Sequence, residues 1–186
     1  MTSTLSAVDT TMTATTATTA PSRTPEPVPF VIPAGAGETV RAFGNQILFK
    51  LGTQDTGGAF SLGLATVSAT DGAVPPHVHE GEDEMFIIVE GQYRVFVGGK
   101  WNDAGPGSVV YLPSGAMHTF HVTGGRDGKH WVLNTSPRFR EYYTRVGAIA
   151  AAGGFPDPAR LNALGAEFGM YIIRPDAALS EALAQR

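Results

Sequence analysis

The chain has no cysteine. Disulfides, thiolate metal sites and cysteine nucleophiles are therefore excluded, while the redox compartment stays open. Cationic charge is scarce, with 13 Lys and Arg against 17 Asp and Glu, a net charge of -4 and a pI near 5.7. That balance argues against a nucleic-acid surface or a polybasic membrane patch. No stretch approaches the ~20 apolar residues of a membrane span. Residues 1–20 contain nine threonines, no Lys or Arg and no unbroken apolar core, which is not the pattern of a secretory signal. The cytoplasm is the expected location. Residues 1–28 read as a disordered Thr/Ala/Pro-rich leader, too poor in burial to offset the entropy of ordering.

What the chain does have is punctuation. Its 23 glycines and 13 prolines fall between short apolar runs, the pattern of strands joined by turns. A length of 186 residues favours one domain with a tail, and 42% hydrophobic residues can build a substantial core. Strands are predicted over 47–51, 59–68, 84–90, 93–97, a short run from Trp101, 108–112, 118–123 and 131–134. Asp71-Gly72 is expected to open a loop that leads into a pair of histidines. About eight short strands at turn spacing point to an all-β antiparallel sandwich or barrel. After Pro137 the period changes: Phe139, Tyr142, Tyr143, Val146 and Ile149 mark one face of a helix, ended by Gly153-Gly154. Asp157-Pro158 opens a second helix running to about Phe168, and a third is expected from about Asp176. The expected division is a leader at 1–28, a barrel at 29–136 and a helical appendage at 137–186 packed on the barrel.

The chemistry concentrates between Gly72 and Val122. His77 and His79 stand at i and i+2, which places both side chains on one face of a strand with Cβ atoms roughly 7 Å apart. Four residues separate His79 from Glu84, and His118 lies beyond a turn-rich segment. Three imidazoles and a carboxylate suit a borderline divalent cation such as Fe, Mn, Co, Ni or Zn. Glu84, Phe86 and Ile88 share one strand phase, and Phe120 shares the phase of His118. Phe86, Ile88 and Phe120 are thus expected to line an apolar pocket with one polar end, suited to a flat aromatic or other small hydrophobic ligand. The phase of Tyr111 and its neighbours is open. His121 is expected to point away from the site, and His130 has no evident partner. Glu80, Glu82 and Asp83 read as a solvated acidic loop.

These residues resemble the two signatures of the cupin superfamily over roughly residues 40–136. The first runs Gly, five residues, His-x-His, three or four residues, Glu, six residues, Gly. Here it is Gly72, His77, His79, Glu84 and Gly91, with four residues rather than five after the first glycine. Both spacings to the acid are allowed, so Asp83 competes, and the six residues to Gly91 select Glu84. The second signature runs Gly, five residues, Pro-x-Gly, two residues, His, three residues, Asn. It appears as Gly107, Pro113-Ser114-Gly115 and His118, with Val122 in the place of the structural Asn.

The resemblance implies a double-stranded β-helix, the cupin or jelly-roll barrel, with His77, His79, Glu84 and His118 holding one metal ion. The core pattern is most similar to single-domain quercetin 2,3-dioxygenase-like cupins. That similarity implies a metal-dependent dioxygenase acting with O2 on a flavonol or related hydroxylated aromatic, with Glu84 accepting the substrate's hydroxyl proton. The same site also serves non-oxidative isomerases, lyases and cyclases of secondary metabolism, and non-catalytic small-ligand binders. Small cupins pair through their sheets, so a homodimer is expected. No nucleic-acid or membrane partner is.

Overall fold

The computed structural model of the protein describes residues 27–136, 138–153 and 157–185. All but the last two residues of the expected leader lie outside this range. Eleven strands run in chain order among the described residues: β1 (Glu38–Ala42), β2 (Asn45–Leu51), β3 (Ser61–Val67), β4 (Val74–His79), β5 (Glu84–Glu90), β6 (Gln92–Val97), β7 (Lys100–Ala104), β8 (Val109–Leu112), β9 (His118–Thr123), β10 (Gly128–Asn134) and β11 (Met170–Ile172). Helices α1 (Phe139–Gly153), α2 (Pro158–Gly165) and α3 (Ala177–Ala184) make up the rest of the tail. One antiparallel sheet has the order β1-β2-β3-β10-β5-β8 and the other β11-β4-β9-β6-β7. Every strand pair is antiparallel, as the turn spacing predicts.

Alternation explains the core. Along β3 and β10 every second residue is buried, because successive side chains on a pleated strand face opposite ways. The inward set of both sheets, including Ile47, Phe49, Ala65, Phe86, Val95, Phe120 and Val132, forms one cluster. A two-residue turn at Phe43-Gly44 joins β1 to β2 with φ of 53° and 70°. Both central residues of such a turn need positive φ, which matches the twist of the hairpin. Phenylalanine is an uncommon occupant, and the turn aims its buried ring at Tyr143, 6.3 Å away edge to face.

Three strands exceed the eight expected: β1, β4 and β11. The loop foreseen after Gly72 gives way at Val74 to β4, whose Pro75 and Pro76 carry no N–H to reveal a ladder. Its pairing with β9 skips from Val74–Phe120 to His77–His118 across those prolines. The tail contains the three expected helices and also β11, which pairs with the histidine-bearing β4. The predicted face of α1 is buried through Phe139, Tyr142, Tyr143 and Val146, with Ile149 packed at its edge. Asp157 precedes α2, and the Asp176 carboxylate caps α3 by accepting from Leu179 N at 2.8 Å. Gly154 lies outside the described residues. No described helix is long and apolar enough to cross a membrane.

Candidate metal centre

The four sequence-derived ligands come from three strand ends. His77 and His79 lie on β4, Glu84 opens β5 and His118 opens β9. Their ligand atoms all lie within 4.8 Å of one another. The imidazole rings are 4.1 to 5.3 Å apart between centroids.

Tautomers follow from the partners of the outer nitrogens. His77 Nδ1 is 2.9 Å from the Pro75 carbonyl, and His118 Nδ1 is 2.9 Å from the Ala116 carbonyl. A carbonyl only accepts, so both Nδ1 atoms carry the proton and both Nε2 atoms present lone pairs. His79 Nδ1 meets the Glu82 carboxylate at 2.5 Å, the arrangement that orients metal-binding imidazoles. Glu84 is held on its other side, where Asn134 Nδ2 donates to Oε1 at 3.1 Å. Its Oε2 then faces His118 Nε2 at 3.2 Å. With His118 Nδ1 already a donor, a neutral ring sets acceptor against acceptor here, an arrangement made favourable by a proton on Nε2 or by a metal ion between the two atoms.

The electrostatics agree. Burial alone would raise Glu84, but the surrounding His79, His118 and His77 outweigh it and hold the carboxyl at about 2. Burial, together with repulsion from His118 and His79, pushes His77 well below its ordinary value. Burial also disfavours the charged form of His79, yet Glu84 and Glu82 win and raise it. The ionised Glu84 and neutral His77 are already in the form that a divalent ion requires, while the raised His79 would release its proton as the ion binds.

The turn of the second signature stitches the two halves together. Gly115 N donates to the His79 carbonyl at 2.8 Å, and Gly81 N donates to Ser114 Oγ at 2.8 Å. Asp83 is half-buried and tied to the turn: it accepts from Ser114 N and from Tyr111 Oη, both at 2.9 Å. Glu82 is buried, which also corrects the reading of a solvated loop, and its second oxygen has no partner among the described residues. Glu80 alone of the three is exposed. The signature glycine Gly72 has no space for a side chain. A Cβ there would lie 2.5 Å from the Ser68 carbonyl, at the place where Asn45 bonds the Gly72 carbonyl at 2.9 Å.

A cavity opens beside the cluster, lined by His77, His79 and Glu84 together with Phe86, Phe120 and His130. Ile88 is buried in the core and does not line the cavity, although His130, its register partner on β10, does. The phase of β8 is settled: Leu112 points in and Tyr111 out. His121 packs against Trp101, with ring centroids 5.1 Å apart, away from the cluster. His130, which lacked an evident partner in the sequence, is buried with Nδ1 3.1 Å from Tyr93 Oη. The tail closes the remaining wall through Phe139, Tyr142, Tyr143, Met170, Tyr171 and Ile172. Helical period marked the α1 residues as apolar, but no local signal said that they face a cavity.

Residues 63–135 match the family described as the cupin domain. The barrel has the cupin fold. A 1.2 Å structure of the polyketide cyclase RemF from Streptomyces resistomycificus superposes with a TM-score of 0.50 and 24% identity, covering 57% of this chain and 79% of that one. A Thermotoga maritima protein described as a predicted oxalate decarboxylase gives a TM-score of 0.47 and 21% identity over 52% of this chain and 89% of that one. An uncharacterized protein of Streptomyces coelicolor is 37% identical over 62 residues, which span 33% of this chain and 56% of that protein. The chain thus spans little more than half the length of that curated relative. The cupin match omits β1, β2 and the whole tail, which supply much of the cavity wall.

Proposed function

We propose that this cupin is a metal-dependent dioxygenase of the quercetinase kind, acting with O2 on a hydroxylated aromatic at a His77-His79-Glu84-His118 centre. The observation that carries the metal is the convergence of imidazole lone pairs and one carboxylate within 4.8 Å, with the two carbonyl-bonded rings fixed as Nδ1–H. A divalent ion held there supplies Lewis acidity toward a substrate oxygen and leaves one or two positions open beyond its four protein ligands.

The chain's own groups then do three things. Asn134 fixes Glu84 Oε1, which leaves Oε2 as the oxygen that accepts the substrate's hydroxyl proton. A carboxyl held at about 2 is a weak base, so it takes that proton only from a hydroxyl already acidified at the centre. Phe86, Phe120 and Val132 exclude water around the ring being oxidised. The cavity volume is about 70 Å³, counted as space open to water centres. That is room for a few waters and about half the ~150 Å³ of a cavity that takes benzene, so an aromatic ring enters only as the side chains around it give way. One ring of the substrate would be enclosed, with the rest of a flavonol extending out of the cavity.

The test is oxygen uptake with quercetin and, as a one-ring probe, catechol. The protein is stripped of metal and reloaded separately with iron, manganese, cobalt and nickel. Uptake with one metal, abolished in both His77→Ala and Glu84→Gln, is the expected result. No uptake with any confirmed metal would reject the dioxygenase. Turnover that persists without oxygen would assign the non-oxidative class, in which Glu84 shuttles a proton.

We also propose that the protein is a homodimer. Ile87 and Val109, paired across β5 and β8, are 44% and 61% exposed, and Tyr111 on the same outer face is 57% exposed. Val89 continues this apolar strip, and β8 is an open sheet edge. On the other half of that face Phe30, Ile32, Leu62, Leu64 and Trp131 line a shallow apolar depression. A second copy offers the same strip and the same edge, so a two-fold pairing is self-complementary.

A further inference from the structure

The inner end of the cavity holds a polar pair that the metal chemistry does not use. Along β10, His130 lies four residues before Asn134, the residue that bonds Glu84. That offset is about 13 Å of strand, two inward-facing levels below the metal layer. Phe86 and Phe120 form the intervening layer, 5.1 Å apart edge to face. The His130 ring lies 4.4 Å from that of Phe86 and 5.7 Å from that of Phe120, and it forms part of the cavity wall.

His130 is only 2% exposed, and burial holds it at about 4, so the ring is neutral at pH 7. A neutral imidazole has one donor nitrogen and one acceptor nitrogen, and its partner decides which is which. Nδ1 faces the hydroxyl of Tyr93 at 3.1 Å. Tyr93 is itself buried, and its ring is clamped under Gly128, where a Cβ would come within 2.5 Å of the hydroxyl. That hydroxyl has no other hydrogen-bond partner among the described residues. Either tautomer leaves one donor without a protein partner, the phenol O–H or the imidazole Nε2–H, and of the two residues only His130 lines the cavity, where water or a ligand can accept from it and lower the cost of the orphan. The phenol therefore donates to Nδ1, and the imidazole proton sits on Nε2. No described protein group bonds Nε2.

We propose that His130 Nε2–H is a donor subsite at the inner end of the cavity. It reads an oxygen acceptor (a hydroxyl, ether or carbonyl) on the ligand ring, with Tyr93 as the positioning residue that sets the tautomer. This rests on the aromatic reading of the cavity and deepens it. The substrate ring would carry oxygen at both ends, one toward the metal ligands and one toward His130.

Two arms test it. Nitrogen NMR of the wild-type protein labelled at histidine should show His130 with a bare Nδ1 and a protonated Nε2. The opposite tautomer would overturn the proposal without any variant having been made. In the second arm the zinc-loaded protein, which has no redox chemistry of its own, is titrated with 4-methoxyphenol and with 4-ethylphenol. The two are close in size, and only the first has the second oxygen. The wild type should prefer 4-methoxyphenol by roughly tenfold. His130→Phe should abolish the preference, His130→Gln should restore part of it through its amide N–H, and Tyr93→Phe should weaken it. Equal affinities in the wild type would sink the subsite and leave the aromatic cavity standing. Failure of both phenols to bind, with zinc uptake confirmed, would reject the aromatic ligand class altogether.

Discussion

Single residues divide here into those whose role their spacing announces and those whose role depends on what reaches them. His77, His79, Glu84 and His118 are of the first kind. Glu82 is of the second: nothing in an acidic run says that one member turns inward to bond His79 Nδ1. Carboxylates in that position typically contribute 10- to 100-fold in metal affinity. Glu82→Gln is expected to weaken metal binding by about that factor, measured by competition against a chelator, while leaving the fold intact. An unchanged affinity would show that Glu82 does not orient the ring. His130 makes a prediction about stability. Its folded value of about 4 lies below the ordinary 6.5, so the unfolded chain takes up this proton first as pH falls. The contribution is present in full above pH 6.5, is lost between 6.5 and 4, and amounts to on the order of 3 kcal/mol. Denaturant unfolding of the metal-free protein at pH 7 and pH 4 should show that loss, and His130→Phe should lose less stability over the same interval. A variant with the same pH dependence as the wild type would contradict it.

At the scale of elements, the strand that carries His77 and His79 would be a sheet edge if the tail were absent. β4 has only broken pairing with β9, and β11 covers its other side. Asn162 of α2 secures β11 twice, with Nδ2 donating to the Ile172 carbonyl at 3.2 Å and Oδ1 accepting from Ile172 N at 2.7 Å. Asn162→Ala should therefore cost about 1–3 kcal/mol in thermal or denaturant stability. It should also weaken metal binding, because the backbone under His77 pairs with Ile172. Lost stability with unchanged metal affinity would mean that β4 holds its geometry without β11.

For the whole molecule the open question on the surface is the strip of Ile87, Val89, Val109 and Tyr111. Light scattering should give twice the 19.5 kDa chain mass. Val109→Asp, which puts a charge in the middle of the strip, should move the protein toward the monomer without loss of secondary structure. A wild-type monomer mass at micromolar concentration would refute the dimer.

Local pattern determined a good deal. Glycine and proline spacing divided the barrel into strands, period-two alternation selected the inward phase of Phe86 and Phe120, and His-x-His with Glu84 and His118 named the cluster that could hold a metal. These are short-range properties of a pleated chain, legible because the side-chain period repeats along it. Only the tertiary structure decided the rest. Pro75 and Pro76 hid β4, a three-residue β11 is too short to show a period, and the partners of Glu82 and His130 come from packing. The cavity wall is built by Phe43, Tyr142, Tyr143 and Met170, brought together across more than 120 positions of sequence. Contacts of that range depend on which surfaces fold against each other, and no local period encodes them.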